Sequence, residues 1–348
     1  MDYREAGVDI EAGNAVAKAI AQLAKNTFNS RVVRGLGSFG GFFDISKLEI
    51  KKPVLVSSTD GVGTKLLVAQ MTGHFRNLGK DIVNHCVNDI ACCGARPLFF
   101  MDYFASSHLK PETVLEVIAG MTEALGEVGC PLVGGETAEM PDLYSPGDFD
   151  IAGFIVGVVD LDNIIDGHGI IAGDKILILP SNGLHTNGYT LARKALFETA
   201  GFETSFILPP LEHSLGDELL KPHPCYLEPL RRLGIWAKGI AHITGGGLHD
   251  NIIRILPEDC CALVDISQIP VPPIFEIIRR AGAIEDEEMY RVFNMGAGLV
   301  VIIDKNKCAE AIEQIRTAGF EPIVAGEITS ARRDVILQGL SVENKSHQ

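Results

Sequence analysis

What most restricts this chain is a series of short glycine-and-carboxylate blocks, each set at the end of an apolar run. The sharpest is Thr59-Asp60-Gly61-Val62-Gly63-Thr64-Lys65-Leu66, which follows the β-branched run Val54-Leu55-Val56 and leads into a helical pattern. A strand ending in a carboxylate, two glycines that free the backbone and a lysine at a helix start suit phosphate. They offer N–H groups, a cation and a metal-capable oxygen in one turn. The Walker A spacing G-x-x-x-x-G-K-[ST] is absent. A tight turn with a helix-start aspartate is the plain alternative.

Two more carboxylate blocks follow. Asn88-Asp89 falls inside an apolar helical stretch that includes Ile82, Val83, Cys86, Val87 and Ile90. A buried charge there needs a partner, and a metal ion is one; an exposed polar face is the alternative. Gly134-Gly135-Glu136-Thr137-Ala138-Glu139 follows the strand-like Leu132-Val133, which puts Glu136 at a sheet edge. Hard oxygen ligands from separated loops suit Mg²⁺.

Gly35-Leu36-Gly37-Ser38-Phe39-Gly40 matches G-x-G-x-x-G, a fingerprint that requires a strand before it and a helix after it. Here a helix and the polar Asn29-Ser30-Arg31 precede, and Gly41-Phe42-Phe43-Asp44-Ile45 carries no helical pattern, so the dinucleotide reading fails on context. A glycine-rich flap from Gly35 to Gly41 that approaches phosphate, or a plain loop, remains. Ser181-Asn182-Gly183-Leu184-His185-Thr186-Asn187-Gly188 joins a buried strand to a helix, with a histidine able to move protons near neutral pH. Three glycines, Gly245-Gly246-Gly247, precede the helical Leu248 to Leu256 and suggest anion binding. Asn294-Met295-Gly296-Ala297-Gly298 reads as a tight turn into a strand.

The length of 348 residues suggests two domains, and 46% hydrophobic against 22% charged residues is enough for a sizeable core. A net charge of −15 is a poor match for a nucleic-acid backbone, though local cations, N–H groups or metal still allow a small phosphorylated ligand. Eight cysteines without a C-x-x-C, including the adjacent pairs Cys92-Cys93 and Cys260-Cys261, fit reduced thiols rather than a disulfide framework or a zinc site. With no signal-peptide pattern and no long apolar span, a soluble cytoplasmic protein that binds no membrane is expected.

The run of elements predicts an α/β (α+β) chain. Its first half has helices from Gly13 to Lys25, Lys80 to Cys93 and Pro111 to Val128. Strands are expected at Val54-Leu55-Val56, Leu98 to Met101, Leu132-Val133 and Ile151 to Val159. A mixed sheet with helices on one face follows from that order. The Asp/Gly-rich stretch from Asp160 to Asp174 marks a boundary, giving domains of residues 1–165 and 166–345. Beyond it Lys175 to Pro180 reads as a buried strand, with further strands near Ala262 to Val264, Leu299 to Ile303 and Ile323 to Ile328. The proline-studded Phe206 to Pro224 is an excursion, and a frayed tail starts at Lys345.

Taken in order, these blocks resemble the phosphoribosylformylglycinamidine cyclo-ligases, or aminoimidazole ribonucleotide synthetases, of purine biosynthesis. The resemblance runs from Ala6-Gly7-Val8-Asp9-Ile10 through the Asp60, Asp89 and Glu136 blocks. It continues through Gly183-Leu184-His185-Thr186-Asn187-Gly188-Tyr189 and His242-Ile243-Thr244-Gly245-Gly246-Gly247-Leu248 to Met289-Tyr290-Arg291-Val292-Phe293-Asn294. It implies an ATP-binding, Mg²⁺-dependent homodimer whose N-terminal sheets pair across the dimer, with a larger C-terminal α/β domain. The implied reaction closes formylglycinamidine ribonucleotide to aminoimidazole ribonucleotide as ATP becomes ADP and phosphate.

By the same resemblance Asp60, Asp89 and Glu136 hold Mg²⁺. Lys65 meets phosphate, and the turn Asp60, Gly61, Gly63 and Thr64 binds nucleotide. The flap glycines Gly35, Gly37, Gly40 and Gly41, with Gly245 and Gly246, complete that set. His185 and Asn187 face substrate, His185 as a proton shuttle.

The departures are Ser58 and Asp142, each where glycine is expected. Lys221-Pro222-His223-Pro224-Cys225-Tyr226 also lacks the expected Pro-Thr-Arg-Ile-Tyr pattern, leaving Lys221 or His223 to replace an arginine toward substrate phosphate. Related families fit less well. There is no N-terminal cysteine as in selenophosphate synthetase, since the first is Cys86. No carrier cysteine ends the chain as in the hydrogenase-maturation relative. The motif set is not doubled as in the formylglycinamidine-forming synthetase, and Gly-Gly-Glu-Thr replaces the Gly-Gly-Asp-Thr of thiamine-monophosphate kinase. A regulatory protein that had lost catalysis would carry damaged carboxylates and glycine loops, and these are intact.

Overall fold

The computed structural model describes residues 10–340. The Ala6-to-Asp9 part of the first family block and the tail from Lys345 lie outside the described residues. The chain divides into two units after Ile164, with Cys92–Gly94 belonging to the second.

In the N-terminal unit the elements are α1 (Ile10–Lys25), β1 (Val32–Arg34), β2 (Phe42–Phe43), β3 (Pro53–Gly61), α2 (Lys65–Thr72) and α3 (Arg76–Cys92). They continue as β4 (Arg96–Ser106), α4 (Pro111–Glu127), β5 (Leu132–Glu139) and β6 (Phe149–Asp160). The main sheet has the order β3-β6-β4-β5, antiparallel except for the parallel β4/β5 pair, and is therefore mixed as expected.

Helix α4 starts at Pro111, whose fixed φ and missing N–H suit the first turn. It buries Val114, Val117, Ile118, Met121 and Leu125, a stripe at helical spacing. Its backbone meets that of α3 through two glycines. A Cβ at Gly79 would lie 1.9 Å from the Val117 oxygen, and one at Gly120 1.8 Å from the Arg76 oxygen, so any side chain at either position would push the helices apart.

The other unit contains β7 (Lys175–Pro180), α5 (Tyr189–Arg193), α6 (Leu215–Leu219), α7 (Leu227–Leu233), β8 (Ala237–His242), α8 (Gly247–Ile252) and β9 (Cys260–Asp265). Next come α9 (Pro273–Gly282), α10 (Asp286–Val292), β10 (Ala297–Ile303), α11 (Cys308–Thr317), β11 (Ile323–Ser330) and β12 (Asp334–Gln338). Six strands run β12-β9-β11-β7-β10-β8, antiparallel except β12/β9. Strand β10 is buried along its whole length, and Ile176, Ile178, Val300 and Ile302 share a core with Leu248 and Ile252 of α8. The expected helix from Leu248 to Leu256 is shorter, ending at Ile252 before a single 3₁₀ turn.

Two elements run well past their sequence-based bounds. Strand β4 continues from Met101 to Ser106, and β5 continues through the Gly134–Glu139 block, which is ladder rather than loop. The glycines of β5 lack strand propensity, and pairing with β4 overrides that weakness. A strand, β1, does precede the G-x-G-x-x-G block; a second strand, β2, follows it where a dinucleotide site needs a helix. Among the described residues no helix is long and apolar enough to cross a membrane.

Candidate active site

The carboxylates of the N-terminal unit are arranged by strand register. One row crosses the sheet as Asp60, Gly153, Asp102 and Gly135 on β3, β6, β4 and β5. Residues opposite one another in a ladder share a face, so Asp60 and Asp102 project to the same side, about 9–10 Å apart at the backbone. That side is covered by α3, since a Cβ at Gly153 would stand 2.9 Å from Ile82 and 3.2 Å from Cys86.

From α3 comes Asp89. The Ser58 hydroxyl lies 3.2 Å from an Asp60 oxygen and 3.1 Å from an Asp89 oxygen. One hydroxyl has one proton, so it relieves one carboxylate at a time. Burial, with the Asp89 charge adding to it, pushes the Asp60 carboxyl up to about 7. A histidine is also close: His85 Nε2 lies 3.5 Å from Asp60. Two crowded, half-buried carboxylates of this kind are a fitting donor set for a hard divalent ion. Ser58, a departure from the family pattern, thus belongs to the pair.

Glu136 behaves differently. It is paired with Tyr103, one residue out of step with the Asp60 row, and so projects to the opposite face of the sheet, where it is exposed. The three expected metal carboxylates therefore do not converge; Asp60 and Asp89 meet, and Glu136 stands apart on an edge strand. The acid sharing the Asp60 face is Asp102, which sequence reading missed. Asp102 is 8% exposed, and its buried Oδ1 has no hydrogen-bond partner. Burial, aided by the Glu136 charge, pushes its carboxyl up to about 7. Gly135 makes the room, because a Cβ there would sit 2.1 Å from that oxygen. The available signal was one aspartate in the apolar alternation Leu98-Phe99-Phe100-Met101-Asp102-Tyr103-Phe104.

The flap lies between β1 and β2. Gly37, Gly40 and Gly41 line a cleft of about 900 Å³ together with Lys18 of α1, Asp102 and Glu136. Gly35 does not line it; a Cβ there would run into the Phe28 ring at 2.1 Å, so this glycine serves packing. In the β3–α2 turn Gly61 and Gly63 are exposed and Thr64 is half-buried.

Lys65 corrects the phosphate expectation. Its ammonium makes a 2.7 Å ion pair with Asp81, and both side chains are fully buried. Burial lowers the Lys65 pKa while Asp81 opposes that shift. A lysine so engaged joins α2 to α3 and is not turned toward a ligand.

In the C-terminal unit the β7–α5 turn is held by Asn294. Its Oδ1 accepts from Ser181 at 2.8 Å and from the Gly296 N–H at 3.0 Å, and its Nδ2 donates to the Gly183 carbonyl at 2.8 Å. This staple was read only as part of a turn. His185 has φ of +63°, a conformation uncommon for a residue with a side chain. Its ring is buried and stacks on His223 at 4.0 Å.

Asn187 is half-buried, with its Oδ1 3.5 Å from the Cβ direction of Gly245, so this turn meets the glycine block. Asn251 Nδ2 donates to the Gly245 and Gly247 carbonyls, fixing that block from within α8. Gly246 has φ of +93°. Neither expected substitute for a phosphate-binding arginine faces outward alone. Lys221 pairs with Glu218 at 2.6 Å, and His223 is buried beside His185 and His242.

Two family models match. AIR synthase related protein, N-terminal domain, covers residues 44–159, and AIR synthase related protein, C-terminal domain, covers 172–338. The chain therefore belongs to the AIR synthase related family. Within it, the chain is 46% identical over 336 residues to phosphoribosylformylglycinamidine cyclo-ligase of Syntrophotalea carbinolica, covering 96% of each chain. It is 47% identical over 340 residues to the same-named protein of a Thermoanaerobacter species, covering 97% of this chain and all of that one.

Solved structures share the fold at low identity. Thiamine-monophosphate kinase from Stenotrophomonas maltophilia superposes with a TM-score of 0.69 at 16% identity, covering 92% of this chain and 96% of that one. Hydrogenase maturation protein HypE in complex with ATP gives 0.67 at 18%, covering 92% and 90%.

Proposed function

We propose that this chain carries out the ATP-dependent closure of formylglycinamidine ribonucleotide to aminoimidazole ribonucleotide, releasing ADP and phosphate. The observation that carries the reading is identity of 46–47% over nearly the whole length to proteins named for that reaction. The ATP-bound fold neighbour is consistent with it. An amide oxygen is a poor leaving group. Transfer of the γ-phosphoryl to the formyl oxygen makes it a good one, and attack of the amidine-side nitrogen on that carbon then forms the ring bond and expels phosphate. Catalysis of such a step is mostly positioning and charge neutralisation.

Mg²⁺ held by Asp60 and Asp89 would neutralise charge on the nucleotide phosphates. The Ser58 hydroxyl lies within hydrogen-bond reach of both carboxylates and donates to either. The flap from Leu36 to Gly41 folds over the nucleotide and keeps out water, with backbone N–H groups toward phosphate. His185, held by the strained turn that Asn294 staples, moves the proton lost by the attacking nitrogen, and Asn187 orients the substrate amide. Lys65 acts on the reaction only by fixing α2 against α3.

The protein is read as a cytoplasmic homodimer. One face of the four-stranded sheet leaves Leu55, Tyr103 and Phe154 at 62%, 39% and 37% exposure, an apolar surface that a second copy would cover. The test is appearance of aminoimidazole ribonucleotide from the formylglycinamidine substrate only when ATP is present. Failure to form it, with substrate and ATP both bound, would refute the reading.

A further inference from the structure

Three buried imidazoles from separate stretches of the C-terminal unit meet. His185 lies on the β7–α5 turn, His223 on the irregular segment after α6, and His242 at the end of β8. They are 2%, 1% and 7% exposed. The His185 and His223 rings stack with centroids 4.0 Å apart, and His223 Nε2 lies 2.9 Å from His242 Nε2. One ring nitrogen from each histidine can be chosen so that all three lie within 4.8 Å of one another.

We propose that this cluster is a transition-metal site of the Zn²⁺ or Co²⁺ class, with three neutral histidines as ligands and water or a small anion in the fourth position. Imidazole nitrogen suits borderline dications, whereas Mg²⁺ prefers oxygen. A tetrahedral ion with Zn–N bonds of about 2.0–2.1 Å sets its nitrogens roughly 3.3 Å apart. The 2.9 Å pair needs to open by a few tenths of an ångström and the third nitrogen to close by about 1.5 Å at most; because the His185 and His223 rings stack with planes 24° apart, one of them must also turn to aim its in-plane lone pair at the ion.

The scaffold around the rings is built to hold them. Asn182, three residues before His185, donates to the carbonyl of Pro222, the residue before His223, at 2.8 Å and so ties the two segments together. Tyr226 donates to the Pro180 carbonyl at 2.8 Å. A Cβ at Gly298 would lie 1.8 Å from the Tyr226 oxygen and 3.1 Å from His185 Cε1, so only glycine leaves both rings in place. On the reading given under Proposed function, a metal that takes the His185 lone pair also stops proton transfer, which makes the ion an inhibitor of ring closure.

The test uses full-length protein without a histidine tag, cleared of metal by chelator and titrated with CoCl₂ and, separately, ZnCl₂. The expected result is saturable uptake of about one ion per chain, with the intense visible bands of four-coordinate Co²⁺. His223→Gln should weaken uptake by at least ~10-fold, and Glu313→Gln, at an exposed position of α11, should leave it unchanged. Zn²⁺ should raise the melting temperature of the wild type and not that of His223→Gln. Should His223→Gln fail to fold, proton NMR of the wild-type Co²⁺ protein decides instead, by paramagnetically shifted, exchangeable imidazole N–H signals. Absence of those signals, or uptake unaffected in folded His223→Gln, would overturn the site. These binding readouts are independent of turnover, so failed cyclisation with intact Co²⁺ bands would refute only the proposed reaction.

Discussion

The two units solve the problem of buried polar groups in opposite ways. In the N-terminal unit Asp60, Asp89 and Asp102 bring like charges to one side of a sheet, and the Ser58 hydroxyl reaches both Asp60 and Asp89. In the C-terminal unit three imidazoles meet, and a neutral imidazole both donates and accepts, so His223 and His242 satisfy each other at 2.9 Å. Ionised carboxylates repel one another, whereas imidazoles can hydrogen-bond to one another. The first unit thus gathers groups whose charges repel, the second groups that donate and accept within one cluster.

That contrast can be broken at four points. The largest effect is expected for His185→Gln. If it moves a proton, turnover should fall by ~10²–10⁴-fold with a much smaller rise in the substrate's Michaelis constant. Turnover within about threefold of wild type would leave it a packing residue.

Lys65→Met should cost about 3–5 kcal/mol of stability because it strands Asp81 as a buried charge, and Lys65→Met/Asp81→Leu should recover most of that. Urea melts of both variants check this. A single variant of wild-type stability that loses nucleotide affinity would restore the phosphate role.

Asp89→Asn should lower Mg²⁺-dependent nucleotide binding and turnover by roughly 10²–10³-fold while relieving repulsion on Asp60. Titration of nucleotide at fixed Mg²⁺ reads it, and unchanged affinity removes Asp89 from the site.

The smallest effect belongs to Asp102→Asn. Its carboxyl is raised from 3.8 to about 7, so the folded state holds a proton that the unfolded chain gives up. Stability is undiminished below about pH 4, falls as pH rises through 7 and stays reduced above. The variant should therefore gain roughly 1–3 kcal/mol over wild type at pH 8 and nothing near pH 3. A gain independent of pH would mean that Asp102 is ionised throughout.

Much of the fold is legible in sequence where one local rule dominates. Pro111 marks the start of α4, and the apolar Lys175 to Pro180 run is β7. Strand β8, Ala-Lys-Gly-Ile-Ala-His, escapes because glycine, lysine and histidine hide a strand that exists by pairing with β10. At the site, the Asp60–Asp89 pairing was within reach only through the family resemblance. The outward turn of Glu136 does not, because a one-residue step in register exchanges the two faces of a strand and leaves no trace in composition. The histidine cluster is equally hidden, since its members come from a turn, an irregular segment and a strand end. Lys65 illustrates the opposite error: its position at a helix start is right, and only tertiary packing reveals Asp81 behind it.

The central claim is that ATP activates the formyl oxygen of the substrate directly, without a phosphorylated protein residue. Formylglycinamidine ribonucleotide carrying ¹⁸O at the formyl position tests it, followed through one turnover with ATP and Mg²⁺. The account predicts that the label leaves in inorganic phosphate as aminoimidazole ribonucleotide and ADP form together, with none released as water. Label recovered in water, or a phosphorylated side chain trapped before the ring-forming substrate is added, would contradict it.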